Sequence, residues 1–263
     1  MTVTAEAPAE TVHFGLVELD LLAAHAGVPL PFPLRVPSYG RIAGEREVLF
    51  AAAGEALLVR GLADDTGPVG VAAEVVTALR EHRGTLDLVL VDADRTTMIA
   101  ALVYRSSVLF LRQELGSERA GVRRFHDAAL AAELLKLVPE VAAPVSMPIT
   151  LPAGAVEAVT RSAEEFGEQE LRDLFRDHGG DPSALDSLVG LLVPLTGRGQ
   201  LGATRRTGGR SGRAGAELSW LDGPKGRVRV DTAADGWLSV NPLHRTAVRA
   251  AVEELATVVR SSR

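Results

Sequence analysis

Residues 84–111 read GTLDLVLVDADRTTMIAALVYRSSVLFL. Leu86, Leu88 and Leu90 alternate with Asp87 and Val89, the two-residue period of a strand. Asp92-Ala93-Asp94 then makes a turn, since an aspartate bonds its own downstream backbone. Met98 to Tyr104 and Val108 to Leu111 follow as short apolar runs rich in β-formers, and Gly121 to Phe125 reads as a fourth strand. A run of strands this dense, set between helical segments, indicates an α+β fold with antiparallel sheet and excludes a doubly wound βαβ chain.

Upstream, Val12 to Leu16 reads as extended and Val17 to Ala26 as a helix stopped by Gly27. Pro29, Pro31, Pro33 and Pro37 make Val28 to Gly40 an extended connector, because proline fixes φ and removes a donor. Helices fit Ile42 to Arg60, with Leu49, Ala52, Ala53, Ala56 and Leu57 on one stripe, and Val69 to Glu81. After the strands, Asp127 reads as the N-cap of a helix over Ala128 to Val138, closed by Pro139.

From residue 144 the same order recurs. Val145 to Leu151 reads as a strand that Pro148 confines to an edge or bulge. Pro152 to Ser162 and Glu164 to His178 read as helices, and Asp181-Pro182 opens a third. Strands are expected at Gln200 to Arg206, Glu217 to Asp222, Arg227 to Asp231 and Gly236 to Val240. Asn241-Pro242 then caps a last helix with Val248, Ala251, Val252, Leu255 and Val259 on its buried face. Each half therefore reads strand, helices, three or four strands, helix. Arg83-Gly84-Thr85-Leu86 is echoed by Arg198-Gly199-Gln200-Leu201, and His126 by His244. The expectation is one domain over 12–263, following a disordered 1–11, made of two pseudo-repeats of about 12–143 and 144–263 around a quasi-two-fold.

The chain has 263 residues, 46% hydrophobic and 24% charged, with a formal net charge of −6 and no cysteine. That composition is globular, and it excludes a disulfide framework, a thiolate nucleophile and a Cys-ligated metal. Lysine occurs only at Lys136 and Lys225, so nearly all cations are arginines. The acidic balance argues against wholesale nucleic-acid binding. The first ten residues lack the basic and apolar regions of a secretory signal, and no apolar run reaches the roughly 20 residues that span a bilayer. A cytoplasmic protein is expected.

No catalytic constellation emerges. Gly197-x-Gly199-x-x-Gly202 matches a dinucleotide fingerprint as text, but that chemistry needs a strand before the glycines and a helix N-terminus after them. Here a helix precedes and a strand follows, so the glycines read as a helix-to-strand turn. Asp92 and Asp94 could hold a divalent metal, although turn formation explains them. His13, His25, His82, His126, His178 and His244 show no HxH or HExxH spacing. Arg205, Arg206, Arg210 and Arg213 lie among glycines in a segment that reads as a solvated hairpin loop or as a contact for an anionic partner. Trp220 alternates with Leu218 into the core. Trp237, beside the Asp235-Gly236 turn, reads either as sheet core or as an exposed anchor of the kind enriched at binding hot spots.

Leu19-Asp20-Leu21-Leu22, Pro31-Phe32-Pro33-Leu34, Tyr39-Gly40, Leu218-Ser219-Trp220-Leu221-Asp222 and Gly236-Trp237-Leu238-Ser239-Val240 together resemble the EspG family of ESX (type VII) secretion-associated proteins of actinobacteria. The resemblance runs from about residue 12 to 260. It implies a quasi-two-fold α+β fold whose central antiparallel sheet is flanked by helical bundles. It also implies a cytosolic, non-enzymatic specificity chaperone that binds the helical tip of PE–PPE-like cargo and keeps it soluble for export, with no cofactor. The surfaces it points to are the sheet, the loop between the second and third strands, here Asp92 to Thr96, and the closing helix. On that basis Asp92, Asp94 and Arg95 are expected to form a polar rim, Trp237 an apolar anchor, and Arg249 and Glu253 further contacts. No nucleic acid or membrane is expected as partner, and the oligomeric state is expected to be a monomer or a weak homodimer. Two readings of another class stay open at this point: a metal- or nucleotide-dependent enzyme using Asp92/Asp94 or the Gly197–Gly202 loop, and a nucleic-acid-binding regulator using the Arg205–Arg213 loop.

Overall fold

The computed structural model describes residues 10–40, 42, 44–146, 148–207, 210–233 and 235–261. The expectation of disorder at 1–11 falls mostly outside them. In chain order the elements are β1 (Val12–Gly15), α1 (Leu16–Ala26), α2 (Glu45–Val59), β2 (Ala63–Asp64), β3 (Gly67–Pro68), α3 (Gly70–Glu81), β4 (Gly84–Asp92), β5 (Thr96–Tyr104), β6 (Ser107–Glu114), β7 (Arg119–His126) and, after a 3₁₀ turn at Asp127–Ala129, α4 (Leu130–Leu135). The chain continues with β8 (Ile149–Pro152), α5 (Ala153–Ser162), α6 (Glu168–Asp177), α7 (Pro182–Leu192), β9 (Gly197–Thr207), β10 (Arg210–Arg213), β11 (Leu218–Gly223), β12 (Gly226–Thr232), β13 (Trp237–Pro242) and α8 (Arg245–Arg260).

All strands except β2 and β3 join one sheet in the order β1-β7-β6-β5-β4-β9-β11-β12-β13-β8, with β10 as an extra strand on β9. Every pairing is antiparallel. Alternation sorts the side chains onto two faces. Leu86, Leu88, Ile99, Ala101, Val108, Phe110, Leu201 and Trp220 pack under α4 and α8, with Val252, Leu255 and Val259 of α8 fully withdrawn from solvent. On the opposite face, Ala100, Leu102, Leu109, Leu111 and Val122 pack under α1, α2 and α3. Farther along that second face, Leu191 and Leu192 of α7 cover Val228 and Val240, and α5 and α6 close over Leu151 and Phe175.

Both sheet edges are short. In β1 the Glu18 carboxylate accepts the Gly15 N–H at 2.7 Å, opening α1, while Arg60 pairs with Glu18 and donates to the His13 carbonyl. The outward backbone of β1 is thus occupied by side chains. The other edge, β8, has only four residues and ends on Pro152, which carries no donor.

Several boundaries differ from the sequence reading. The cap before α4 is His126, whose Nδ1 accepts the Ala128 N–H at 3.2 Å; Asp127 instead pairs with Arg83. Asn241 and Pro242 do not cap a helix but pair with Arg229 and Val228 as the end of β13, and α8 starts after His244. Sheet register outweighed a good local cap signal there. The strand expected from Val145 begins only at Ile149, and Val145 is exposed. Gly44 and Gly167 postpone the starts of α2 and α6 to Glu45 and Glu168.

The Gly197–Gly202 stretch is not a turn but the body of β9, and its glycines have packing partners. A Cβ on Gly199 would overlap the Trp220 indole, and one on Gly202 would lie 2.7 Å from the Arg213 guanidinium. The arginine-rich segment forms the antiparallel β9–β10 pair, with β10 exposed, and three of its arginines find partners within the fold. Arg206 donates to the carbonyls of Leu79 and Arg80 at the end of α3, and Arg205 donates to the Ser261 carbonyl at the end of α8. Cationic side chains on orphan carbonyls are a favourable helix ending. Arg213 donates to Asp87 and, at 2.7 Å, to Glu217.

Asp87 is buried, whereas its partner Arg213 is about half exposed. Burial pushes the Asp87 carboxyl above the usual aspartate range even with Arg213 beside it. At Arg213 burial works against the charge, but hydrogen bonding and attraction to Asp87 and Glu217 outweigh it and raise the guanidinium.

Three outcomes follow for the β4–β9 seam. Gly199→Ala should lower unfolding stability by about 2–3 kcal/mol, because a rigid indole must move; a thermal or urea melt reads this directly. Arg213→Ala should cost about 2–3 kcal/mol by leaving a buried carboxylate without its cation, and adding Asp87→Asn should recover most of it. The sign with pH is unusual. Asp87 holds its proton more tightly folded than unfolded, so its contribution makes the fold more stable as pH falls through its raised folded value toward the ordinary aspartate range. Urea midpoints between about pH 4 and 7 should lose that component in Asp87→Asn.

Candidate partner-binding surface

The residues singled out from the sequence fall in three places. Asp92, Asp94 and Arg95 form the β4–β5 turn. The Asp92 carboxylate accepts the N–H groups of Asp94 at 3.1 Å and Arg95 at 2.9 Å, and Arg95 lies 3.6 Å away as an exposed ion pair. The Asp94 hydrogen bond is the main reason that the Asp92 carboxyl sits below its usual range, with Arg95 adding to it. The carboxylate is thus engaged in shaping the turn. Among the described residues, no group of three or more His, Cys, Asp or Glu side chains could hold a metal ion.

Trp237 starts β13 and is 42% exposed, while Trp220 is 2% exposed. The register fixes its distance from the Asp92 turn. Asp92 pairs with Gly197, and Gly197 with Asp222, so the β11–β12 hairpin shares the Asp92 end of the sheet. The β12–β13 return, with Trp237, lies at the other end, four strands across. Arg249 and Glu253 form an i,i+4 pair at 3.8 Å on the exposed side of α8. The six residues do not converge.

What the fold does leave open is a strip of sheet. On the face opposite α8, the α1–α3 layer covers β5 to β7 and the α5–α7 layer covers β12, β13 and β8, with Leu221 of β11 packed at its margin. Between the two layers, Val89 and Val91 of β4, Arg198 and Gln200 of β9, and Ser219 and Leu221 of β11 line a groove of about 340 Å³. Cross-strand pairing of Val89 with Gln200, and of Gln200 with Ser219, puts their side chains on this one face. Gln200 is held by Glu217 at 2.6 Å. The Asp92–Arg95 turn borders the strip beside Val91. Val189 of α7, and Val193 and Leu195 on the stretch that leads from α7 into β9, are all exposed. The strip therefore combines an apolar surface with a polar border, the composition of a protein interface.

The reverse side of this strip is rigidly backed. Arg227 makes a two-pronged pair with Asp222 at 2.7 and 2.8 Å, both residues being buried, and its guanidinium stacks 5.0 Å from the Trp220 ring centre. This pair, like Asp87–Arg213, escaped the sequence reading. The one available signal was the placement of Asp222 and Arg227 on either side of Gly223-Pro224-Lys225-Gly226, where a tight hairpin makes them cross-strand neighbours.

Among the described residues no helix is long and apolar enough to cross a membrane. No curated protein matches the chain. Among solved structures, the chain is similar to that titled "Structure of the Mycobacterium tuberculosis type VII secretion system chaperone EspG5 in complex with PE25-PPE41 dimer", with a TM-score of 0.65 at 15% sequence identity over 95% of this chain and 96% of that one. The likeness is one of fold. The sequence model of the EspG family matches residues 16–254, nearly the whole length, and the chain belongs to that family.

Proposed function

We propose that this protein is a specificity chaperone of type VII secretion that holds the helical tip of a PE–PPE-like partner over the open strip of β4, β9 and β11. The observation that carries the reading is the uncovered sheet between two helical layers, with Val89 and Val91 available for apolar contact and Leu221 at its margin. A helix laid there would bury apolar surface on both sides at about 25 cal/mol per Å². Asp92, Asp94 and Arg95 form the rim that selects the cargo, and Arg198 and Gln200 read its polar groups. Trp237, Arg249 and Glu253 belong to secondary contacts made by a partner large enough to reach past the strip. Membership of the EspG family and the solved EspG5 complex with PE25–PPE41 support this assignment. The role is non-enzymatic and its place is the cytoplasm, before export.

The chain is also read as a single domain of two related halves, about 12–143 and 144–263. Support comes from the sheet order, which runs outward from the β4–β9 seam through β5, β6, β7 and β1 on one side and β11, β12, β13 and β8 on the other. His126 and His244 stand at matching positions before the closing helices. The closed edges, β1 by Arg60 and β8 by Pro152, favour a monomer or a weakly associating dimer.

Co-expression with a co-encoded PE–PPE pair, followed by size-exclusion chromatography, tests the reading. A stoichiometric complex is expected. Ser219→Arg, on the partly exposed floor of the strip, should weaken it by about 2 kcal/mol or more, the effect of a disrupted hot spot, while Trp237→Ala should cost less. A partner that stays soluble and elutes alone, or a complex indifferent to Ser219→Arg, would overturn the assignment.

A further inference from the structure

The opposite face of the sheet carries a second, chemically different groove. It has a volume of about 790 Å³, its floor is formed by β6 and β7, and α4 and β1 wall it. Register places Phe110 and Arg112 of β6, Gly121 and Arg123 of β7, and His13 of β1 on this face, because Phe110 pairs with Arg123, Arg112 with Gly121, and Gly121 with His13. Arg119 and Lys136 complete the basic lining, and Lys136 is one of only two lysines in the chain.

The charges in the groove do not balance. Arg112, Arg119, Arg123 and Lys136 face only Glu114 and Glu133. Glu133 takes both Arg123, at 2.6 Å, and Lys136, while Glu114 takes Arg112 at 2.8 Å and the Thr97 hydroxyl. Burial works against the Glu133 charge, yet Lys136 and Arg123 together hold its carboxyl below the usual range. Arg119 has no side-chain partner among the described residues. Two positive charges are left in excess in a chain whose formal net charge is −6, so this patch runs against the field of the whole molecule.

We propose that this groove is a docking site for an acidic, leucine-bearing extended segment of a partner protein. Charge complementarity selects carboxylates for Arg119, Arg112 and Lys136. Arg123 is already oriented, its guanidinium lying 4.8 Å from the Phe110 ring centre and 5.3 Å from that of Phe125. Leu137, half-buried at the groove wall, supplies the apolar contact that a bare inorganic anion would not use. Nucleic acid fits less well, since Phe110 is buried and offers no face for base stacking. The segment binds through its side chains and does not extend the sheet, because Arg60 and Glu18 occupy the β1 edge. The site lies on the face away from the strip, so it acts independently of the helical partner.

The test is fluorescence anisotropy of the full chain with a fluorescein-labelled peptide of alternating glutamate and leucine. Saturable binding that weakens with added salt is expected, with no binding of the matching lysine–leucine peptide. Arg119→Glu removes no internal contact, so it should fold normally and bind about tenfold more weakly. Ser219→Arg on the far face should bind as the parent does. Absent binding, or binding undiminished in both Arg119→Glu and Arg112→Glu, would overturn the site. Displacement of the peptide by inorganic phosphate or by an oligonucleotide as readily as by unlabelled peptide would overturn its assignment to an acidic protein segment.

Discussion

The pairing of β4 with β9 is the constraint on which the rest of the structure depends. It joins nine residues of each strand without interruption and makes one sheet out of two groups of strands. α8 packs across the seam on one face, over both β4 and β9, whereas on the α1–α3 face neither helical layer reaches it. What fills the seam is small: Gly197, Gly199, Gly202 and Ala203 lie on β9, and the larger groups that need space, Trp220 and Arg213, come from the neighbouring strands and lie over them. Gly199 makes room for the indole on the α8 face, while on the opposite face Arg198, Gln200 and Gly202 of β9 lie between the two helical walls.

Arginine does most of the polar work in this architecture. Arg60 closes the β1 edge, Arg80 caps the end of α1 through the carbonyls of His25 and Ala26, Arg206 caps α3, and Arg227 binds Asp222 in the interior. A planar guanidinium with several fixed donors suits each of these tasks better than a lysine ammonium does. The basic segment around Arg205–Arg213 admits a ligand contact beside the solvated-loop reading because sequence shows a cation without its acceptor. Most of its acceptors are carbonyls at helix ends more than 50 residues away in the chain, or a carboxylate on β4. Unlike Arg205, Arg206 and Arg213, Arg119 has no side-chain acceptor among the described residues.

Local patterns made the fold class, the order of helices and strands and the burial of Trp220 legible, because alternation and helical period are local properties that burial enforces. Boundaries failed where tertiary register overrode a local signal, as at Asn241-Pro242, which has the chemistry of a cap and the position of a strand end. The glycine motif failed for a related reason: a glycine that permits a turn and a glycine that permits a neighbour's indole are indistinguishable in sequence. The candidate site was only partly legible. The Asp92 turn was found from its own chemistry, and it does border the strip. Arg198, Gln200 and Ser219 were missed because they become a surface only when β4, β9 and β11 lie side by side, and pairing between distant strands leaves no periodic trace.

The closed edges decide how such a molecule recognises others. A sheet of this width with free edges would offer unpaired backbone to any extended chain, which is indiscriminate and prone to aggregation. Here β1 is occupied by Arg60 and Glu18, and β8 is four residues long with a proline at its end. With the two end strands so protected, and only the four-residue β10 left as an exposed edge, the larger surfaces are the two faces: a mixed strip with valine, leucine, glutamine and arginine on one, and a basic groove on the other. Faces read shape and charge, which differ between partners, whereas edges read only backbone, which does not. Arg60, which occupies the β1 edge, also holds β1, α1 and α2 together.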